Sequence, residues 1–256
     1  MSDSMDFFAF YSNPERLQVL IDGGIDGIVV DWERKGKELR QKLYDTQISV
    51  HHTADLKLVH QQNPNQIICR INPPNPESNT EIDLAIDHGA DEILLPMVQT
   101  VQEVEKILTH TDGRIKVGLM LETEEALAIA AELDQLPVHR FFVGLNDLSI
   151  QRGTRNIFYP FLDGTLDELR PKITKQFGVA GLTHPQLGNP IPCKYLVNRM
   201  KYYQCSYAFL RRSFYRDLEH YTARDILLAL SEIFGQEIDQ KEWSEEVRSL
   251  FQQELI

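Results

Sequence analysis

The stretch KVGLMLETEEALAIAAEL, from Lys116 to Leu133, passes from an apolar run into an amphipathic one without an intervening loop. The first part has the length and composition of a buried strand, and the second has the spacing of a helix that covers it. Similar pairs precede and follow this stretch along the chain. Such alternation is typical of a parallel sheet flanked by helices.

Eight apolar runs begin such pairs: FFAFYS, DGIVVDWE, NQIICRINPP, DEILLPMVQ, KVGLML, RFFVGLND, GVAGLTHP and SYAFLRRSF. Eight strand and helix repeats in 256 residues predict an α/β protein with a closed (β/α)8 TIM barrel. An open doubly wound sheet is the alternative, but it usually has fewer strands in a chain of this length. No linker interrupts the pattern, so a single domain is predicted over residues 1–256.

Three segments between and after the strands carry further predictions. A helix is expected in KGKELRQKLYD after the second strand, followed by a solvated loop that contains His51 and His52, with a metal-binding pair of histidines as the alternative. After the sixth strand an irregular segment should precede a late helix in TLDELRPKITKQ. Residues 234–256 should form a C-terminal helical extension. Its apolar residues, Trp243, Val247, Leu250 and Phe251, exceed what the barrel needs, which predicts a homo-oligomer formed through these helices.

Composition excludes several classes of function. The formal charge of −12, from 38 acidic against 26 basic residues, argues against binding to nucleic acid. Three scattered cysteines form neither a disulfide framework nor a zinc motif, and no apolar run has the length of a membrane span. The sequence therefore predicts a cytoplasmic protein with reduced thiols.

Polar residues follow the apolar runs at the end of the barrel where active sites lie. They are Asp31 and Glu33 after strand two, Arg70 and Asn72 after strand three, Glu122 after strand five, Asn146 and Asp147 after strand six, and Thr183 and His184 after strand seven. Because adjacent strands lie about 4.8 Å apart, Glu122 and Asp147 could share one ion. Two carboxylates without a nearby cysteine favour Mg²⁺, with Mn²⁺ as the alternative. As alternatives, Glu122 could belong to the first turn of the next helix, and Asp147 could cap a turn.

The candidate partner of this ion is a small carboxylate substrate. Arg70 follows an apolar run, where burial of its charge costs free energy. That cost is offset if Arg70 binds a carboxylate or a developing oxyanion. The alternative is a salt bridge from Arg70 to Asp31 or Glu33. His184 is a candidate general base, although THP could equally form a simple turn. Arg211 and Arg212 follow strand eight, where phosphate sites of barrels occur, and at most one of them should face inward.

Five motifs in register resemble a known family. DGIVVDWE, CRINPP, GADEILLPMV, LMLETEEAL and FFVGLNDLSIQRG are similar to segments of the HpcH/HpaI aldolase and citrate lyase beta-subunit family, which includes malyl-CoA and citramalyl-CoA lyases. The resemblance implies a TIM barrel of the phosphoenolpyruvate and pyruvate superfamily and a divalent metal. It also implies cleavage or formation of a carbon–carbon bond beside a keto or thioester carbonyl, so a CoA thioester is a possible substrate.

The resemblance also assigns roles to positions. It implies that Glu122 and Asp147 are metal ligands and that Arg70 steadies an enolate. The candidate catalytic residues are then Asp31, Glu33, Arg70 and His184, and the candidate substrate contacts are Arg70, Asn72, Leu145 and Asn146.

Two positions depart from the sugar-acid aldolases of the family, which have a histidine where this chain has Arg34 and a glutamine where it has Met120. DWER also replaces the DLED of the citrate lyase branch, so the chain looks like a divergent member. A metal-dependent lyase or aldolase for a small 2-oxo or 2-hydroxy acid, or its CoA thioester, is the expected function. A synthase or mutase on the same barrel, or a non-catalytic acid-binding protein, are the alternatives.

Overall fold

A closed ring of eight parallel strands is the centre of the molecule. A computed structural model describes residues 4–34, 51–188, 191–237 and 244–252. Each strand pairs with its neighbours in the chain, and the last pairs with the first, which confirms the predicted barrel. The strands are β1 (Asp6–Phe10), β2 (Gly27–Asp31), β3 (Ile67–Arg70), β4 (Glu92–Leu95), β5 (Lys116–Leu121), β6 (Arg140–Val143), β7 (Gln176–Leu182) and β8 (Tyr207–Leu210).

Helices surround the barrel and begin where the sequence supplies caps. Asn13 accepts a hydrogen bond from the backbone N–H of Arg16 at the first helix, and Thr100 forms a capping box with Glu103 at another. The helices are α1 (Pro14–Gly23), α2 (Thr53–Gln61), α3 (Ser78–Asp87), α4 (Val101–Thr111), α5 (Glu124–Ala128), α6 (Ala130–Asp134), α7 (Leu145–Gln151), α8 (Thr165–Leu169), α9 (Cys193–Tyr202), α10 (Phe214–Asp217), α11 (Ala223–Gly235) and α12 (Glu245–Phe251).

Two helices differ from the sequence-based expectation. The segment after His52 was predicted as a loop, but α2 begins there, because Asp55 accepts a hydrogen bond from the backbone N–H of His52 and closes a capping box. The segment KGKELRQKLYD lies outside the described residues.

After β6, α7 begins at once, so Asp147 lies in a helical first turn instead of at the strand end. The predicted late helix is confirmed in part as α8.

Alternate strand residues fill the barrel with an apolar layer. Its members are Phe8, Val29, Ile68, Leu94, Met120, Phe142, Tyr207 and Phe209. The rings of Phe142 and Phe209 stack with their centroids 4.0 Å apart. Asp31 and Arg70 lie two residues beyond members of this layer on their strands, so the period of two directs both side chains into the barrel mouth.

A second buried polar group lies at the opposite, amino-terminal end of the barrel. Glu92 forms an ion pair with Nη2 of Arg140 at 3.0 Å, and the Arg140 guanidinium carbon lies 4.8 Å from the centre of the Tyr207 ring. Gly118 leaves the space for this pair, since a Cβ atom there would lie 2.4 Å from Glu92 Oε1. Burial raises the pKa of Glu92 to about 7, although Arg140 lowers it.

The C-terminal helix packs on the chain's own barrel. Val247 and Phe251 are buried, and the Phe251 ring contacts Phe158 and Phe161 at centroid distances of 6.0 and 5.7 Å. Nδ2 of Asn156 donates to the Phe251 carbonyl at 2.6 Å. These contacts bury two of the four apolar residues that suggested pairing with another subunit, Val247 and Phe251, whereas Leu250 is partly buried and Trp243 lies outside the described residues. The homo-oligomer stays a prediction.

No helix in the described ranges has the length and apolar character needed to cross a bilayer. All three cysteines are buried, and none forms a disulfide in this structure.

Candidate functional site

Arg70 is held at the barrel mouth by two carboxylates. The register of β2 and β3 places Asp31 opposite Arg70. Nε and Nη2 of Arg70 donate to the two Asp31 oxygens at 2.9 and 2.7 Å, and Nη1 lies 3.3 Å from Glu33 Oε2. The salt bridge that the sequence left open is therefore formed, and it fixes the plane of the guanidinium group.

The two carboxylates stabilise the charged form of the buried Arg70. Burial lowers the pKa of the guanidinium group. The negative charges of Asp31 and Glu33 together raise the pKa by more than burial lowers it, so the net shift is upward. Arg70 is therefore always positively charged.

Glu122 lies immediately after β5 and is almost completely buried. Its Oε1 atom accepts a hydrogen bond of 2.9 Å from the backbone N–H of Met97. A Cβ atom on Gly144 would lie 2.3 Å from Glu122 Oε2, so only glycine leaves room for this carboxylate. Thr123 is the N-cap of α5, which places Glu122 before the helix; the alternative of a first-turn acid is wrong.

The environment of Glu122 disfavours its negative charge. Burial raises the pKa of Glu122 well above its ordinary value, and the neighbouring Asp147 and Glu33 raise it further. Arg70 and the Met97 N–H oppose these effects without cancelling them. A cation bound between the carboxylates would stabilise the ionised form.

These carboxylates fit a divalent ion of the Mg²⁺ type. In the described ranges, no group of three His, Cys, Asp or Glu side chains could hold a metal ion. Mg²⁺ needs only one or two protein carboxylates, because water and substrate oxygens complete its octahedron. Glu122 and the buried Asp147 meet that requirement, although the assignment of both as ligands stays a prediction.

The candidate substrate contacts are engaged to different degrees. The amide of Asn72 donates to Glu81 Oε1 at 3.0 Å and accepts from the backbone N–H of Arg34 at 2.8 Å, so it joins the loops after β2 and β3. Leu145 is buried at the start of α7, whereas Asn146 is exposed beside Asp147. Their roles in substrate binding stay predictions.

The described contacts of His184 are with Tyr221 and Asp217, and none is with Glu122 or Asp147. Its ring stacks on Tyr221 with centroids 4.0 Å apart, and its backbone N–H donates to Asp217 at 3.1 Å. The hydroxyl of Thr183 also donates to Asp217. The contacts therefore join His184 to the end of α10 and to the segment that follows it, and its role as general base stays a prediction.

Three supporting residues were missed by the sequence analysis. His51 Nδ1 accepts from the backbone N–H of Asp31 at 3.0 Å, whereas this residue was expected in a solvated loop. Met97 and Gly144 form the surroundings of Glu122. A glycine directly after an apolar strand and before LND was the one available signal. Nothing in the spacing indicated His51 or Met97.

Arg34 stands where the sugar-acid aldolases of the resembled family have a histidine. Its side chain contacts residues just before α2. Its Nη2 atom donates to the carbonyl of His51 at 2.5 Å and lies 3.0 Å from His52 Nδ1. Arg34 therefore links the end of β2 to the start of α2. A permanent cation in this position does not accept a proton.

Comparison with known proteins agrees with this geometry. The model of the HpcH/HpaI aldolase/citrate lyase family matches residues 5–156, which include Asp31, Arg70, Glu122 and Asp147. The chain belongs to this family. Membership supports a lyase-type reaction and confirms the resemblance of the five motifs.

Solved structures related to the family show the same fold. A citrate lyase from Burkholderia xenovorans LB400 aligns with a TM-score of 0.64 at 13% identity, over 96% of this chain and 81% of that one. RipC from Yersinia pestis aligns with a TM-score of 0.61 at 11% identity, over 93% and 98% of the respective chains. No curated protein matches the chain.

Proposed function

We propose that the protein is a divalent-metal-dependent carbon–carbon lyase that acts on a small 2-oxo or 2-hydroxy acid, or on its CoA thioester. The observation that carries this proposal is the pair of buried carboxylates, Glu122 and Asp147, which follow the adjacent strands β5 and β6 at the end of the barrel where Asp31 fixes the guanidinium group of Arg70. Without a cation, this arrangement brings together acids that oppose each other's charge. Membership of an aldolase and lyase family supplies the reaction class.

In such a reaction, different side chains would bind the metal ion, bind the substrate and position Arg70. Glu122 and Asp147 would hold Mg²⁺ or Mn²⁺, which when bound supplies positive charge to the oxygens of the substrate. Arg70 would bind the substrate carboxylate and stabilise negative charge as the carbon–carbon bond breaks. Asp31 and Glu33 act as positioning residues, because they fix the orientation of Arg70 before substrate arrives.

The proposal predicts a Mg²⁺-dependent gain in stability that depends on Glu122. A ligand that binds only the folded state raises the melting temperature, so Mg²⁺ with pyruvate should raise that of the wild-type protein. Glu122→Gln should abolish the rise, because the amide lacks the negative charge that attracts the ion. The variant should still fold, since the amide oxygen keeps the acceptor for the Met97 N–H.

Glu132→Gln is the matched control, since Glu132 is exposed on α6 and its replacement removes the same charge. Differential scanning fluorimetry with and without Mg²⁺ measures the effect. An equal rise in the wild type and in Glu122→Gln would contradict the proposal. Product analysis with candidate acids, and with acetyl-CoA, then separates cleavage from condensation.

A further inference from the structure

The position of Asp147 is determined by a helix and not by the end of a strand. Asp147 lies in the first turn of α7, and the N-cap of that helix, Gly144, has no side chain to fix it. Glu122, by contrast, directly follows β5, and the hydroxyl of Thr123 anchors it by donating to the carbonyl of Val98 at 2.6 Å. The separation of the two carboxylates therefore depends on where α7 lies relative to the start of α5.

Gln151, the last residue of α7, joins these two helices directly. Its Oε1 atom accepts a hydrogen bond of 2.8 Å from the backbone N–H of Glu124, the first residue of α5. Its Nε2 atom donates to Glu125 Oε2 at 3.0 Å. One amide thus satisfies an N–H group that no carbonyl within α5 can reach, and it also binds an acid of the same turn.

Arg152, the next residue, joins the same helices through its guanidinium group. Nε and Nη2 of Arg152 donate to the two carboxylate oxygens of Glu124 at 2.5 and 3.4 Å. Nη1 donates to Asp163 Oδ2 and to Thr165 Oγ1, both at 2.9 Å. Arg152 therefore connects the end of α7 to the start of α5 and to the start of α8.

The contacts of Arg152 differ from those of an isolated surface ion pair, which contributes little to a fold. The Arg152 side chain is only 19% exposed, and its guanidinium group is bound by acceptors on two separate segments of the chain. The helical rise from Asp147 to Arg152 is about 8 Å. A shift of this end of α7 against α5 would therefore move Asp147 relative to Glu122.

We infer that Arg152 is a positioning residue of the metal site, which fixes α7 against α5 and so sets the distance between Asp147 and Glu122. This inference rests on the proposed function and adds to it a residue that acts through two helices instead of as a ligand. The positive charge of Arg152 opposes the binding of any cation, so its contribution to metal affinity is geometric.

Isothermal titration of the full chain with Mg²⁺ tests the inference. Arg152→Met removes a positive charge, so electrostatics alone predicts tighter binding of the ion. Loss of the contacts with α5 predicts the opposite, a fall in Mg²⁺ affinity of about tenfold, which is the lower end of the range for residues that orient metal ligands. Adding Glu124→Gln to Arg152→Met should cause little further loss, because the two residues act through one contact.

Arg114→Met is the matched control, because it removes the same charge and an ion pair between two other elements. Nη2 of Arg114 lies 2.9 Å from Asp83 Oδ1, which joins the segment after α4 to α3. This variant should not weaken Mg²⁺ binding. Unchanged or tighter binding by Arg152→Met, equal weakening by Arg114→Met, or a fully additive loss with Glu124→Gln would overturn the inference and leave the proposed function standing. Failure of the wild type to bind Mg²⁺, with or without pyruvate, would overturn both.

Discussion

Gly144 shows how one absent side chain can determine a site. A Cβ atom at this position would lie 2.3 Å from Glu122 Oε2 and 2.7 Å from Glu122 Cβ. The backbone of Gly144 has φ −87° and ψ 97°, which other residues also adopt. Gly144→Ala should therefore displace Glu122 without straining its own backbone. Mg²⁺ affinity should fall about tenfold or more, the range typical of changes around metal ligands.

This loss of Mg²⁺ affinity is measured by titration with Mg²⁺, with fluorimetry as the readout. Gly235→Ala is a suitable control, since a Cβ at that position would meet no atom within 4 Å apart from its chain neighbours and the backbone of its own helix. It should leave Mg²⁺ binding unchanged. Retention of wild-type affinity by Gly144→Ala would mean that Glu122 does not hold the ion.

At the scale of single elements, the strands were predictable from the sequence, whereas one helix and several contacts that position the site residues were not. The apolar runs gave all eight strands, and the inward alternation from Val29 and Ile68 leads directly to Asp31 and Arg70. The helix directly after β6 was missed, because LNDLSIQ is short and its N-cap is Gly144, which offers no side-chain cap. Contacts such as that of His51 with Asp31 join residues 20 positions apart, and no local pattern specifies them.

The C-terminal helix α12 should stabilise the segment that follows Asp147 and α7. Phe251→Ala removes a fully buried ring from between Phe158 and Phe161, and such a cavity costs about 3–5 kcal/mol of unfolding free energy. Urea denaturation measures that loss. Hydrogen exchange should rise in residues 156–161 before the barrel strands are affected.

Leu228→Ala is the control at this scale, because Leu228 is 52% exposed on the neighbouring helix α11. Its effect on stability should be small. An equally small effect of Phe251→Ala would show that α12 contributes little to the fold in solution.

For the molecule as a whole, Glu92 should make stability depend on pH. Its pKa is about 7 in the folded protein and close to the ordinary 4.5 in the unfolded chain. The folded state therefore binds more protons between these values, so this contribution is present below pH 4.5 and lost as the pH rises through 7. The total effect is about 3 kcal/mol.

Glu92→Gln should remove this dependence, and the stability of the variant relative to wild type should increase from pH 5 to pH 8. Urea denaturation at several pH values measures the difference between the two proteins. Burial lowers the pKa of His139 to about 4, and this residue adds a trend of opposite sign in both proteins. A constant difference across that range would show that Glu92 is already ionised in the folded state.

The stacked rings of Phe142 and Phe209, with the rest of the apolar layer, separate two charged compartments inside one cylinder. Glu92 and Arg140 lie at one end of the cylinder, and under the proposed function an organic acid would enter by the other. The apolar layer separates the charged residues at the two ends of the barrel. Substitutions that change how stability depends on pH would therefore fall at different positions from substitutions that change which substrate is bound.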